Sequence, residues 1–105
     1  MSRNTPNSDI QFSHQVRKRA GWKCELCGES FGELPELLHC SHYFSRRHQT
    51  VRFDPDNAEA LCFKCHDWMH AHPAWHREWK RARLGQERFE ALAERARKVN
   101  KWSLI

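Results

Sequence analysis

Cys62-Phe63-Lys64-Cys65-His66-Asp67-Trp68-Met69-His70 is the stretch on which the fold turns. Its two cysteines are two residues apart, a spacer that lets both sulfurs reach one ion at about 2.3 Å each for zinc. A second pair with the same spacer, Cys24-Glu25-Leu26-Cys27, lies upstream, followed by Gly28, a small residue that permits a tight turn. Four thiolates satisfy a tetrahedral ion and leave no open position. Cys24, Cys27, Cys62 and Cys65 are therefore expected to form a structural zinc site that does no chemistry. Two unrelated buried pairs, or a redox Cys-x-x-Cys, are the competing readings; two pairs suit one tetrahedral site better than either. Cys40 is left over and is expected as a small buried apolar residue.

Beyond Cys65 the chain is expected to continue as a helix to about residue 71. His66 and His70, at i and i+4, share a face there and can grip one ion together. Working back, Leu37–Phe44 reads as a strand in which His39 and His42 flank Cys40-Ser41. Thr50-Val51-Arg52-Phe53 reads as a second short strand, Asp54-Pro55-Asp56-Asn57 as a turn, and Ala58–Leu61 as the lead into Cys62.

Residues 1–8 read as a flexible arm and 9–21 as a helix stopped by Gly21, with Ser8 and Gln11 as a capping box and Phe12 and Val16 on one face. Residues 22–72 hold the cysteines and histidines. Residues 73–105 read as two helices divided by Gly85. The first opens on Pro73 and bears Trp75, Trp79 and Ala82 on one side. The second runs from about Gln86 to Val99 with Phe89, Leu92, Ala93, Ala96 and Val99 on its apolar face. Trp68, Trp75 and Trp79 are expected in the core of these helices, and Tyr43 and Phe44 as packing residues. The whole is one α+β domain of 105 residues.

At that length an apolar core is thin and a metal staple is a natural supplement. No apolar run approaches the ~20 residues that span a bilayer, so no membrane partner is expected. The first eight residues hold no apolar stretch of a secretion signal, and a reducing cytoplasm suits five unpaired cysteines. Net charge is +5. Residues 1–72 hold nine Lys/Arg and nine Asp/Glu, whereas 73–105 hold nine Lys/Arg and four Asp/Glu and so carry the whole excess. A basic excess at one end suits a polyanion, most simply nucleic acid.

Leu38-His39-Cys40-Ser41-His42-Tyr43, then Arg52-Phe53-Asp54-Pro55-Asp56-Asn57-Ala58, then Leu61-Cys62-Phe63-Lys64-Cys65-His66 resemble the HNH endonuclease family. Within it they are most similar to small phage proteins with two zinc-binding Cys-x-x-Cys pairs, NinG-type recombination proteins among them and, more distantly, endonuclease VII. The likeness covers about Trp22 to Pro73. It implies a small ββα-metal core, stapled by zinc and flanked by the N-terminal helix and the C-terminal helical hairpin. It implies that His42 is the general base that activates water, that Asn57 orders the loop and helps hold that base, and that His66 is a ligand of the catalytic ion. His70 matches a further ligand of the colicin-type branch. Ser41 stands where many members carry an Asp or His ligand, and His39 becomes the candidate for that role.

The implied activity is metal-dependent hydrolysis of DNA phosphodiesters, leaving 5′-phosphate and 3′-hydroxyl ends. The implied setting is a phage-encoded protein of the host cytoplasm acting in DNA packaging or recombination. A monomer or a dimer is open, as are other phage DNA-processing proteins as partners. Imidazole ligands admit Zn²⁺, Ni²⁺ or Mn²⁺ as the catalytic ion, and Mg²⁺ with less preference. Arg46, Arg47 and Arg52, beside the strand histidines, are expected phosphate contacts, and Arg77, Arg81 and Arg88 of the basic helices are expected to face the DNA backbone. Two other classes are open: a non-catalytic zinc-ribbon module that binds DNA or protein, and a Cys-x-x-Cys oxidoreductase, which would need free thiols.

Overall fold

A computed structural model describes residues 6–34 and 36–98. Helix α1 spans Pro6–Arg19, strand β1 Leu38–His42, strand β2 Ala58–Cys62, and helices α2, α3 and α4 span Phe63–Ala71, Pro73–Leu84 and Gln86–Arg97. No helix among the described residues is long and apolar enough to cross a membrane.

Helix α1 begins at Pro6, ahead of the expected start at Asp9, so Ser8 lies inside the helix instead of capping it. The proline explains the earlier start, since its fixed φ suits a first helical turn. Its end follows from Gly21: at φ +66° the glycine closes a left-handed cap, with Trp22 N–H donating to the Arg17 carbonyl at 2.9 Å and Gly21 N–H to Lys18. Phe12 and Val16 are buried. Arg17 donates to the Leu38 carbonyl at 2.6 Å, and Arg19 to the carbonyls of Pro55 at 2.9 Å and Ala58 at 2.7 Å. These bonds clamp the end of α1 to both strands.

Strands β1 and β2 pair antiparallel, with Leu38 opposite Cys62, Cys40 opposite Ala60 and His42 opposite Ala58. The second strand is therefore Ala58–Cys62, not Thr50–Phe53. The latter stretch forms a 3-10 turn over Gln49–Val51, and a second such turn spans Pro55–Asn57. Strand propensity at Thr50 and Val51 loses to tertiary contacts: Val51 is buried against Leu92 and Ala96 of α4, and Thr50 Oγ1 donates to the Arg95 carbonyl at 2.6 Å. Every residue of β2 is buried, because helices pack on it from more than one side. A strand so covered lacks the in–out alternation that marks a half-exposed one.

The core gathers Phe12, Val16, Leu38, Ala60, Leu61 and Met69. Leu92 and Ala96 seat α4 on Val51. Val99, expected on the same face, lies outside the described residues, as do residues 1–5 of the expected arm. The indoles depart from expectation. Trp68 is 39% and Trp75 44% exposed. They meet edge to face at the α2–α3 corner, with centroids 4.8 Å apart; of the three expected in the core Trp79 packs against it, as does Trp22.

The residue that α3 buries is Lys80, fully enclosed and salt-bridged to Glu59 of β2, itself buried. Burial pushes the Glu59 carboxyl up and the Lys80 ammonium down, each opposed by its partner's charge. Removing one member strands the other. Lys80→Met should lose about 3–5 kcal/mol of stability by urea unfolding, and Lys80→Met/Glu59→Leu should recover most of it. Equal stability of the single and double variants would refute the pairing.

Candidate metal centre and catalytic groove

Two short segments bring the cysteines together. Cys24 and Cys27 sit in a turn closed by Gly28, whose N–H donates to the Cys24 carbonyl at 2.9 Å and whose φ is +82°. Cys62 ends β2 and Cys65 lies in the first turn of α2. The four sulfurs all lie within 4.8 Å of one another, and those of Cys27 and Cys62 are 4.0 Å apart. Tetrahedral zinc with bonds of about 2.3 Å asks for sulfurs about 3.8 Å apart, so the donor set fits such an ion. A disulfide needs about 2.05 Å and does not fit the Cys27–Cys62 spacing.

Burial raises the Cys24 thiol, but backbone N–H donors around it outweigh burial and bring it down to about 7. Burial and the neighbouring sulfurs push Cys65 up. A divalent cation between four such sulfurs offsets that crowding. These cysteines can thus hold a metal ion such as zinc. Cys40 lies outside the set, half-buried beside the core, its thiol pushed up to about 11 by burial.

The histidines collect on the strand–helix unit next to that centre. His39 of β1 and His66 of α2 approach with Nδ1 atoms 3.0 Å apart, and the rings of His66 and His70 lie with centroids 4.9 Å apart. Two imidazole nitrogens on one tetrahedral ion, with bonds of about 2.0–2.1 Å, would stand about 3.3 Å apart. The His39–His66 approach is close to that. Among the described residues, the four cysteines are the only set that brings three or more such ligand atoms within 4.8 Å of one another, so His70 stands off from the His39–His66 pair. Burial, with His70 and His39 nearby, lowers the His66 pKa and keeps the ring neutral.

Two cavities flank this cluster. One, of about 310 Å³, is lined by Ser41, Tyr43 and His76 and the other, of about 470 Å³, by Asp9, Arg17 and Arg46. His42, His66 and His70 line both. Strand alternation would set His39 and His42 on opposite faces, yet both border the larger cavity with His66. Ser41 is buried and lines the smaller cavity beside His66 and His70. Burial holds His76 neutral, at about 4.

His42 is held by its Nε2, which lies 2.9 Å from the Arg52 carbonyl. A carbonyl only accepts, so Nε2 carries the proton and Nδ1 keeps its lone pair. Burial lowers the pKa of His42; the bond to Arg52 opposes the shift, and the Arg46 charge adds to it. The ring is neutral near pH 7.

Asn57 is fully buried and lines neither of these two cavities. Its Oδ1 accepts from Phe44 N–H at 2.8 Å, and its Nδ2 donates to the carbonyls of Phe44 at 2.9 Å and Val51 at 3.1 Å. Its own carbonyl accepts from Tyr43 N–H at 2.8 Å. Asn57 therefore fastens both ends of the 43–51 loop to the start of β2, a positioning role.

The arginines divide into two groups. Arg52 pairs with Asp9, and Arg46 lies 3.6 Å from the same carboxylate. Arg88 pairs with Asp56, Arg95 with Asp54 at 2.7 Å, and Arg83 with Glu25. Arg81 pairs with Glu78 along its own helix. Arg88 and Arg95 thereby tie α4 to the turn that carries Asn57. Arg47 and Arg77 are exposed and pair with no carboxylate among the described residues. Asp9, Glu59 and Lys80 carry no local signal in the sequence, because their partners lie 43 and 21 residues away.

No protein-family model, curated protein or solved structure matches this chain.

Proposed function

We propose that this chain is a metal-dependent HNH-type DNA endonuclease with a zinc-stapled ββα-metal core, phage-encoded and acting in DNA packaging or recombination. The observation that carries the reading is one groove bordered by two kinds of histidine: His42, neutral with a free Nδ1, and His66 with His70, near His39. Support also comes from the order strand, Asn57-bearing turn, strand, helix, in which a fully bonded Asn57 fixes the loop beside His42.

In this account His42 Nδ1 takes the proton of the attacking water, for which a neutral imidazole is suited at pH 7. His66 and His70, with His39 as the candidate third imidazole, would hold a divalent ion. Such an ion supplies charge stabilisation for the phosphorane and the leaving 3′-oxygen. Arg46, beside His42, holds a flanking phosphate. The cysteine zinc is structural: Cys65 adjoins His66, so the staple fixes the start of the helix that bears the ion ligands.

The test is supercoiled plasmid incubated with protein cleared of weakly held ions, then given Mn²⁺, Ni²⁺ or Zn²⁺. Nicked circles that DNA ligase seals without prior phosphorylation are expected. Plasmid binding without nicking in any ion would favour the non-catalytic zinc module instead.

Backbone contacts are the sequence-independent part of the account. Arg47→Gln/Arg77→Gln should lessen the salt dependence of duplex affinity by about 0.9 log unit per decade for each lost contact. Arg88→Gln/Arg95→Gln should act mainly on stability, since those two hold α4. The comparison is made by titrating binding at several salt concentrations; a slope moved only by the second pair would reverse the assignment.

A further inference from the structure

The N-terminal helix lies outside the strand–strand–helix unit, yet two of its side chains reach the groove's base. Asp9 takes two hydrogen bonds from Arg52, Nε to Oδ1 at 3.0 Å and Nη2 to Oδ2 at 2.6 Å. The Arg52 carbonyl is the group that holds His42 Nε2, at 2.9 Å. One turn on from Asp9, Phe12 packs its ring on that of His42 at 5.6 Å and meets Phe53, the neighbour of Arg52, edge to face at 5.8 Å. The pair is partly shielded, with side chains 18% exposed for Asp9 and 24% for Arg52. The Asp9 carboxyl lies below its ordinary value, chiefly because Arg52 donates to it, so it is ionised at neutral pH.

We propose that Asp9 is a positioning residue for His42: by gripping the Arg52 guanidinium it fixes the Arg52 carbonyl, which fixes the ring of His42 with its proton on Nε2 and its lone pair on Nδ1. The backbone requires such an anchor. Arg52 and Phe53 follow the 3-10 turn at Gln49–Val51 and belong to no strand, so no ladder of hydrogen bonds holds that carbonyl in place. A planar guanidinium gripped at two nitrogens by one carboxylate is a rigid substitute. Neutral imidazole in water divides its proton between both nitrogens, and a base presenting the wrong nitrogen accepts nothing from the water. Asp9 also lies 3.6 Å from Arg46, so its removal would free a cation at the groove. That effect concerns DNA binding and is separable from the positioning of His42.

This inference rests on the nuclease reading for its catalytic consequence, but not for its structural one. The experiment compares wild type, Asp9→Ala and Asp9→Glu, with zinc content and helicity matched. The nitrogen-15 shifts of the His42 ring, recorded where the ring is neutral, report its tautomer, and plasmid nicking gives kcat and KM. Expected are a ring held as the Nε2–H tautomer in wild type and Asp9→Glu, and a mixture in Asp9→Ala. Nicking by Asp9→Ala should show kcat lowered by about tenfold or more, with KM unchanged or lower. A wild-type ring signature in Asp9→Ala overturns the proposal, as does an unaltered kcat beside an active wild type. If no variant nicks, the nuclease reading fails, and the ring tautomer alone still decides the link from Asp9 to His42.

Discussion

Cys24→Ser and Cys62→Ser are expected to give chains that fail to reach the native fold. The cysteine set joins two segments that lie far apart in sequence, the 24–27 turn and the β2–α2 junction. A Lys23–Ser30 bridge closes the 24–27 turn on itself, and its ties to the remainder run through Glu25: its N–H on the Ala60 carbonyl at 2.8 Å, its carboxylate accepting from Ala60 N–H at 2.8 Å, and its ion pairs with Arg83 and Arg19. Cys62 and Cys65 open the helix that carries His66. Structural zinc in small domains contributes on the order of 10 kcal/mol of binding, which is folding free energy where the free chain has no site. A domain of this size has little reserve against such a loss. Circular dichroism and zinc content together check the result: the serine variants should lose both. A Cys24→Ser protein that melts as wild type does and keeps its metal would remove the zinc centre from the account.

His42→Ala should behave in the opposite way. The ring is only half-buried, and its polar partner is a backbone carbonyl that solvent can satisfy, so the fold and its zinc should survive. Nicking should fall by about 10²–10⁴, the usual worth of a general base. The pH dependence carries a sign. Burial holds the His42 pKa below the ordinary imidazole value of about 6.5, and only the neutral ring accepts a proton. Nicking should therefore keep more than half of its plateau rate at about pH 6.5 and fall as pH drops through the lowered value. A profile that is already falling between pH 8 and 7 would place another group in the role.

Parts of this architecture are legible in the sequence because their causes are local. Gly21 and Gly85 end helices through backbone conformations that only a few residues adopt easily, and Pro73 opens one. The cysteine spacers and the i, i+4 step from His66 to His70 are local geometry as well. Strand β2 is not legible, since Ala-Glu-Ala-Leu-Cys has no alternation and hides a glutamate whose charge is met by Lys80, 21 residues on. The periodicity that marks Trp75 as a core position cannot register the break at His72–Pro73, which turns it and Trp68 outward.

The site divides in the same way. His42, Asn57 and His66 can be singled out from one stretch of chain, and their side chains lie on one strand–turn–strand–helix unit. The approach of His39 to His66 depends on how α2 packs over β1, which no spacing encodes. The arginines show the limit most plainly. Read as charges, Arg52 and Arg88 are candidate phosphate contacts; folded, they meet Asp9 and Asp56, which come from other elements of the chain.

The central claim is that the groove hydrolyses DNA with His42 as its base. Its most direct test is the rate of supercoiled-plasmid nicking by wild type and His42→Ala at equal zinc content, in Mn²⁺. The account predicts nicking by wild type and a rate at least about 10²-fold lower for the variant. Equal rates for the two proteins, or no nicking by wild type in any divalent ion, would contradict it.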